Sequence, residues 1–335
     1  MSCQYVPGYK SKLSLRQTQQ AIKVIKDTFQ VLLAQNLHLE RVTAPVLVHG
    51  GSGINDDLSG VERKVDFTVR GMGEAHAEVV QSLAKWKRVA LGRYGFEPGE
   101  GIYTDMNAIR RDDDMDNIHS VFVDQWDWEA VITAADRTEE YLKKTVRRIV
   151  KALADTNKLL QQKYPLLTAE IEQEVTFITA QELADRYPDL TSKEREDAIT
   201  KACGTVFLMG IGDSLRDGKP HDGRAPDYDD WTLNGDLLLW NDTLGHAMEV
   251  SSMGIRVDAA ALQRQLEAAD ATDRMQYPYH QAIANGDLPL TIGGGIGQSR
   301  LAMLMMGCCH IGEVQSSVWD HATIEACEKA GIRLL

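Results

Sequence analysis

The chain has 335 residues, of which 43% are hydrophobic and 25% charged, a composition that excludes a collagenous, low-complexity or wholly disordered protein. The length allows one large domain or about two smaller ones. The formal net charge of −13 would repel a phosphate backbone, so we expect small-molecule ligands and no nucleic-acid partner.

The first elements are an amphipathic helix and an edge strand. Apolar residues recur at helical spacing from Ser14 to Asn36, and Ser14 with Gln17 can form a capping box. The run VTAPVLV follows, and Pro45 within it is typical of an edge or interface strand.

A glycine-rich loop, GGSGINDDLSG at 50–60, carries three adjacent polar residues, of which Asp56 is the middle one. Such a loop can approach a ligand closely, although Asp56 can also simply form an Asx turn. VERKVDFTV predicts a strand, and SLAKWKRVALGRY predicts a basic amphipathic helix. On that helix Ser82 and Lys87 either line a site or belong to a solvated face.

The segment HSVFVDQWDWEA has a period of two, which predicts a strand. Gln125 and Asp127 share one face, and Trp126 and Trp128 on the other face are expected in the core. The polar face is either a binding surface or a structural network. Arg110 precedes the acidic loop before this strand, which predicts a hairpin with an arginine at its first shoulder.

The second half of the chain supplies a helical region and then most of the sheet. A long helix at about 137–162 opens a helix-rich stretch that we interpret as an insertion, roughly 136–203. TVFLMG, LNGDLLLW and HAMEVSSMGIRV predict strands whose short connections favour a mostly antiparallel sheet. Two helices are expected within 258–285, and TIGGGIGQSRLAMLMM predicts a strand, a glycine-rich bend and a helix.

Two carboxylates lie within these apolar strands. An ionised Asp236 or Glu249 there needs a partner, which is either Mg²⁺ or a buried cation. A site that combines Glu249 with Ser252 and Arg256 requires a β-bulge, because these residues differ in strand parity; SSMG is a plausible place for it.

No common nucleotide-binding fingerprint is present: GxxxxGK[ST] is missing and GGGIG lacks the GxGxxG spacing. Arginines can instead grip phosphates and stack on a base, and Arg110 and Arg300 are the candidates. Each can also be a solvated charge or an ion-pair member.

The compartment is predicted to be the cytoplasm. No window approaches about 18 consecutive apolar residues, and residues 1–10 lack the build of a signal peptide. The five cysteines are odd in number and show no CxxC spacing, which argues against a disulfide framework and against a zinc site, so we expect reduced thiols.

Several long blocks resemble the aspartate–ammonia ligase family, the ammonia-dependent asparagine synthetases A. They are QSLAKWKR, GEGIYTDMNAIR, HSVFVDQWDWE, RAPDYDDW, NGDLLLWN, SSMGIRVD and TIGGGIGQSRL. The resemblance implies an α+β fold of the class II aminoacyl-tRNA synthetase type, with a mostly antiparallel sheet flanked by helices. It further implies a single catalytic domain over 1–335 and a homodimer whose interface includes the strand around Pro45.

The family pattern also assigns roles to residues of this chain. ATP is expected to contact Arg110, Asp229, Asp236, Glu249, Gly295 and Arg300. Aspartate is expected to contact Ser82, Lys87, Gln125, Asp127, Ser251 and Arg256. Mg²⁺ is expected on Asp236, Glu249 and Ser252. The catalytic residues are expected to be Arg110 and Arg300, on the phosphates, and Asp56, beside the reacting β-carboxyl.

The implied reaction converts L-aspartate, ATP and ammonia to L-asparagine, AMP and pyrophosphate through a β-aspartyl-adenylate. Free ammonia is the expected nitrogen donor, because a glutaminase of the amino-terminal-nucleophile type needs cysteine where Ser2 stands. Two alternatives stay open: an aspartyl- or asparaginyl-tRNA synthetase relative, disfavoured by the negative charge, and a non-catalytic relative that only binds a metabolite.

Overall fold

The computed structural model of the chain describes residues 3–58 and 62–335. The end of the glycine-rich loop, the start of the VERKVDFTV strand and the Ser2 position therefore lie outside the described residues. The helices are α1 (Leu15–Leu37), α2 (Ala84–Tyr94), α3 (Glu139–Lys163), α4 (Ala180–Arg186), α5 (Ser192–Cys203), α6 (Ala259–Ala268), α7 (Pro278–Ala284), α8 (Gln298–Met306) and α9 (His321–Lys329). The strands are β1 (Leu39–Arg41), β2 (Leu47–His49), β3 (Asp66–Val69), β4 (Ala75–Val79), β5 (Gly101–Ile109), β6 (Phe122–Val131), β7 (Thr176–Thr179), β8 (Thr205–Met209), β9 (Asp229–Asn241), β10 (His246–Arg256) and β11 (Thr291–Gly297).

The main sheet is an eight-stranded mixed sheet in the order β1-β5-β6-β11-β10-β9-β8-β7. From β5 to β8 every strand is antiparallel to its neighbour, whereas β1 pairs with β5 and β7 with β8 in parallel. The prediction of a mostly antiparallel sheet is thus right for the centre and wrong at both edges. Parallel pairing needs a long connection between the two strands, and helices lie in both connections here: α2 between β1 and β5, and α4 and α5 between β7 and β8.

Two helices predicted from the sequence are confirmed: the amphipathic helix near the start of the chain is α1, and the long helix expected at about 137–162 is α3. Ser14 caps α1 in a reciprocal box with Gln17. α1 packs with α3 on one face of the sheet, where the ring of Phe29 lies 4.7 Å from that of Trp126. Both Trp126 and Trp128 are fully buried, as predicted. This apolar layer fixes the orientation of β6, because the tryptophans occupy one face and force its polar residues onto the other.

Three local predictions need correction. The strand expected around Pro45 begins only at Leu47 and lies at the edge of a separate three-stranded sheet, β2-β4-β3. The GGGIG run is part of β11 and not a bend. The stretch 136–203 contributes β7 to the main sheet in addition to its helices.

The predicted bulge is present in β10, slightly earlier than expected. The pairing register with β9 shifts between Glu249 and Ser251, and again between Gly254 and Arg256. Within the described ranges no helix is long and apolar enough to cross a membrane. The cysteines there, including Cys3, are free thiols.

Candidate active site

A cleft of about 550 Å³ opens on the face of the sheet opposite α1 and α3. Its walls include all but one of the residues selected from the sequence. These are Asp56, Ser82, Lys87, Arg110, Gln125, Asp127, Asp229, Glu249, Ser251, Ser252, Arg256, Gly295 and Arg300. The exception, Asp236, is 6% exposed and pairs with Arg224, whose side chain lines the cleft.

The glycines of β11 leave room on this face of the sheet for long side chains from the neighbouring strands. A Cβ at Gly295 would lie 2.3 Å from Oε1 of Gln125. A Cβ at Gly293 would lie 2.7 Å from Nη2 of Arg256 and 2.7 Å from Oε2 of Glu129. The glycine run therefore allows polar side chains to pack closely over a strand. It does not form a phosphate-binding turn.

Lys87 is buried at one wall of the cleft. Its ammonium contacts the carboxylate of Asp127 and donates to the carbonyl of Gly294 at 3.0 Å. Burial lowers the pKa of Lys87 and nearby Arg256 lowers it further, whereas the carboxylates of Glu129 and Asp229 raise it. The predicted basic helix is correct as a helix, α2, but its Lys85, Lys87 and Arg88 are each 1% exposed and do not form a solvated face.

Ser82 lies two residues before α2, not on it, and its hydroxyl accepts from the N–H of Ala84 at 3.1 Å. Ser251, across the cleft on β10, is 2% exposed, and its hydroxyl has no hydrogen-bond partner among the described residues. A buried hydroxyl without a partner is costly, so the Ser251 side chain is available for a ligand.

Arg256 is the most deeply buried arginine of the cleft, at 2% exposure. Nη2 donates to Glu129 at 2.9 Å, and Nη1 donates to Asp229. Although burial opposes its charge, the two carboxylates raise the pKa of Arg256 above its usual range, so the guanidinium is charged. Asp229, which was expected at the nucleotide, therefore lies beside Arg256, which was expected at aspartate.

The two arginines selected for ATP approach the cleft from different elements. Arg110 follows β5 directly, as predicted, and donates to the carbonyl of Gln81 at 3.3 Å. Arg300, in α8, donates to the carbonyl of Glu249 at 3.0 Å and lies 3.6 Å from its carboxylate. Each guanidinium has five N–H donors, and most of them take no part in these hydrogen bonds.

Asp236 on β9 and Glu249 on β10 lie on neighbouring strands, close to the bulge in β10. Arg224 pairs with Oδ2 of Asp236, while Oδ1 of Asp236 is buried without a partner among the described residues. Ser252 is directly opposite Asp236 in the β9–β10 register. Burial raises the pKa of Asp236, and Arg224 opposes this rise. For Glu249, burial is outweighed by Arg300 and Arg224, which lower its pKa.

The glycine-rich loop brings Asp56 to the cleft wall at 2% exposure. Its Oδ1 accepts from the N–H of Leu58 at 3.0 Å, which is the Asx-turn contact expected as an alternative. Burial raises the pKa of Asp56, whereas Lys85 lowers it. The turn and the position on the cleft wall are compatible, because the turn uses only one carboxylate oxygen.

Two site residues were missed by the sequence analysis. Glu129 lies on β6 two residues after Asp127, on the same polar face, but its role as partner of Arg256 depends on the order of the strands. Arg224 begins the block RAPDYDDW but precedes β9, and no periodicity indicates that its side chain would return to Asp236. Only the packing of that loop on the sheet shows the contact.

Comparison with known proteins assigns a family. The family model described as "AsnA: Aspartate-ammonia ligase" matches residues 16–331. The aspartate–ammonia ligase of Levilactobacillus brevis is 55% identical over 328 residues, covering 98% of both chains. The chain belongs to the aspartate–ammonia ligase family. A Clostridium perfringens aspartate–ammonia ligase is 56% identical over 332 residues, covering 99% of each chain. Members of this family are enzymes, and so is this chain.

The fold also occurs in asparaginyl-tRNA synthetases. The Entamoeba histolytica enzyme in complex with asparaginyl-adenylate superposes with a TM-score of 0.64 at 16% identity, covering 90% of this chain and 66% of that one. The Pyrococcus horikoshii enzyme, also with asparaginyl-adenylate, gives 0.62 at 15% identity over 89% of this chain and 68% of that one. The α+β, synthetase-like fold expected from the sequence is confirmed.

Proposed function

We infer that the cleft catalyses the ATP-dependent amidation of L-aspartate by ammonia to L-asparagine. Membership of the aspartate–ammonia ligase family at 55% identity over the full chain carries this inference. We further propose that the reaction passes through a β-aspartyl-adenylate and releases pyrophosphate and then AMP. A free carboxylate is inert to amines, whereas the mixed anhydride has AMP as a leaving group.

The first step is in-line attack of the aspartate β-carboxylate on the α-phosphorus of ATP. Arg110 and Arg300 contact the phosphates and the adenine, and they neutralise the charge that develops as pyrophosphate leaves. Two features support this assignment: both guanidiniums line the cleft, and both retain free N–H donors. Gly295 lines the same cleft, and its lack of a side chain lets Gln125 pack over the strand there.

Mg²⁺ is the metal that this chemistry requires. In the described part of the chain no cluster of three His, Cys, Asp or Glu side chains forms a complete cage, but Mg²⁺ on a nucleotide commonly uses only one or two carboxylates together with phosphate oxygens. The partnerless Oδ1 of Asp236 and the open carboxylate of Glu249 fit that use, with Ser252 opposite Asp236. When bound there, Mg²⁺ would offset phosphate charge.

Aspartate is held by the buried polar groups of the same cleft. Arg256 binds the α-carboxylate with help from Lys87, Gln125 and Asp127 receive the α-amino group, and Ser82 and Ser251 line the pocket, with Asp229 at its far side. The charged state of Arg256 and the partnerless hydroxyl of Ser251 support these roles.

Asp56 acts in the second step. At neutral pH ammonia is mostly ammonium, so a carboxylate beside the β-carboxyl can attract the cation and accept its proton. We expect Asp56→Asn to lower asparagine formation by about 10²-fold while ATP–pyrophosphate exchange dependent on aspartate persists. Steady-state kinetics with varied ammonium, beside the exchange assay, measure both. Full ligation by the variant would rule out this role.

The reaction itself is tested with purified protein, ATP, Mg²⁺ and L-aspartate, supplied with ammonium, glutamine or neither. We expect asparagine and AMP to appear together only with ammonium. Exchange without asparagine that responds to tRNA would instead identify a synthetase-like activity. Binding without ATP consumption would identify a non-catalytic relative.

We also propose a cytoplasmic homodimer in which residues 1–335 form one catalytic domain. The small sheet and its flanks expose large apolar side chains, which often mark protein interfaces: Val46 at 50%, Leu47 at 45%, Phe67 at 42% and Met72 at 43%. These residues flank Pro45, where the family resemblance places the interface.

Leu47→Asp should therefore convert a dimer to monomers, since a buried unpaired charge in the interface is unfavourable. Light scattering coupled to gel filtration measures the mass. Leu166→Asp, at a leucine 68% exposed elsewhere on the surface, is the matched control and should stay dimeric. A parent protein that is monomeric at micromolar concentration contradicts the proposal.

A further inference from the structure

A group of buried charges lies directly behind the loop that carries Asp56, and none of its members was selected from the sequence. Asp227 is its centre and is fully buried. Its Oδ2 contacts Lys85 Nζ at 2.8 Å, Arg274 Nη1 at 2.9 Å and His280 Nε2 at 3.0 Å. Burial opposes ionisation, but Lys85 and His280 outweigh it and hold the pKa of Asp227 well below its usual range. Asp227 is thus a carboxylate.

The cations around Asp227 also contact the loop. Lys85 Nζ donates to the carbonyl of Asn55 at 3.4 Å, one residue before Asp56. Arg274 Nη2 lies 3.9 Å from the carboxylate of Asp57, one residue after it. The two cations held by one carboxylate therefore contact the loop on both sides of Asp56.

Asn55 transmits the position of the loop to the cleft wall. Its Oδ1 accepts from the N–H of Asp56 at 3.0 Å and from that of Gln81 at 2.8 Å, and its Nδ2 donates to the carbonyl of Val79 at 3.0 Å. Gly53 has a φ of +72°, and a Cβ there would lie 2.5 Å from the ring of Tyr277, close to Arg274 in sequence. The loop therefore packs against the segment that carries Arg274.

Removal of the Asp227 charge would leave the buried Lys85 and the partly buried Arg274 as neighbouring cations without their shared partner. Their mutual repulsion and the cost of an unpaired buried charge would displace them, and the loop with them. Other cleft residues have separate supports, because Lys87 is held by Asp127 and Gly294, and Arg300 by the carbonyl of Glu249. The disturbance should therefore fall mainly on Asp56.

We propose that Asp227 is a positioning residue for the nitrogen-transfer step: through Lys85 and Arg274 it holds Asp56 where ammonium is bound and deprotonated. Asp227 itself contacts no substrate. The proposal rests on the function proposed above for Asp56 and extends it to the support behind the loop.

Asp227→Asn keeps the shape of the side chain and removes its charge. We expect at least about a tenfold loss in kcat/KM for ammonium, with aspartate-dependent ATP–pyrophosphate exchange within about threefold of the parent. Arg274→Gln should give a smaller loss of the same kind. If Asp227→Asn does not fold, the Arg274→Gln variant tests the positioning role instead. Asp230→Asn is the matched control, since Asp230 is 4% exposed and pairs with Arg137 at 2.9 Å outside this group.

The outcomes separate the two proposals. Selective loss of the ammonium step in Asp227→Asn or Arg274→Gln, but not in Asp230→Asn, supports the positioning role. An equal loss of exchange and ligation, or no loss in either variant, overturns it. Asp56→Asn is measured in parallel: if it impairs ligation while the Asp227 and Arg274 variants do not, only the positioning role fails. If Asp56→Asn ligates normally, the proposed function of Asp56 fails and the positioning role fails with it.

Discussion

Arg110→Ala should lower kcat for asparagine formation by about 10²–10³, because a preorganised guanidinium is removed from the point where charge develops on the phosphates. The same loss should appear in ATP–pyrophosphate exchange, since the adenylation step precedes nitrogen transfer. The KM for aspartate should change little, as the groups assigned to aspartate lie on other elements. Initial-rate kinetics with ATP and aspartate varied separately test all three expectations.

The adjacent residue provides a control for Arg110. Arg111 is exposed and does not line the cleft, so Arg111→Ala removes the same charge from the same hairpin and should leave kcat unchanged. A loss common to both variants would indicate a long-range charge effect. An Arg110→Ala variant with altered KM for ATP and normal kcat would show that Arg110 binds ground state and transition state equally, contrary to the proposal.

The parts of the fold that depend on local chemistry were predicted from the sequence. The period of two in β6 placed Gln125 and Asp127 opposite two buried tryptophans, and the structure confirms that arrangement. The parity of Glu249, Ser252 and Arg256 called for a bulge, and β10 has one at Glu249–Ser251. Such features follow from side-chain periodicity alone, which any strand obeys irrespective of its neighbours.

Features that depend on distant pairing were not predictable in this way. The parallel edge strands β1 and β7 are only three and four residues long, and their direction depends on the long connections to their partners β5 and β8. Lys87 was weighed as a possible surface residue, because a lysine on a helix is usually solvated. It is buried here because Asp127 meets it from another strand, a contact between residues 40 positions apart.

The buried pair of carboxylates around Arg256 gives the largest expected effect on stability. Glu129 is 0% and Asp229 3% exposed, and Arg256 is the cation that contacts both. Arg256→Met keeps the length of the side chain but leaves two buried carboxylates together. We expect the free energy of unfolding to fall by about 3–5 kcal/mol, because uncompensated buried charge is strongly destabilising. Urea denaturation at pH 7.5, about the working pH, measures it.

The pH dependence of the Arg256→Met variant distinguishes this cause from poor packing. Burial raises the pKa of Asp229, Arg256 lowers it and Glu129 raises it. Without the guanidinium the pKa of Asp229 therefore rises further above that in the unfolded chain. The folded state then binds more protons than the unfolded state, so its stability falls as pH rises and recovers as pH falls. The deficit in unfolding free energy relative to the parent should therefore shrink on acidification toward about pH 5.

Arg256→Lys keeps the charge but cannot donate to both carboxylates in the way the guanidinium does, and it should lose less stability. A deficit that is independent of pH would mean that lost packing, and not the uncompensated pair of buried carboxylates, destabilises the Arg256→Met variant.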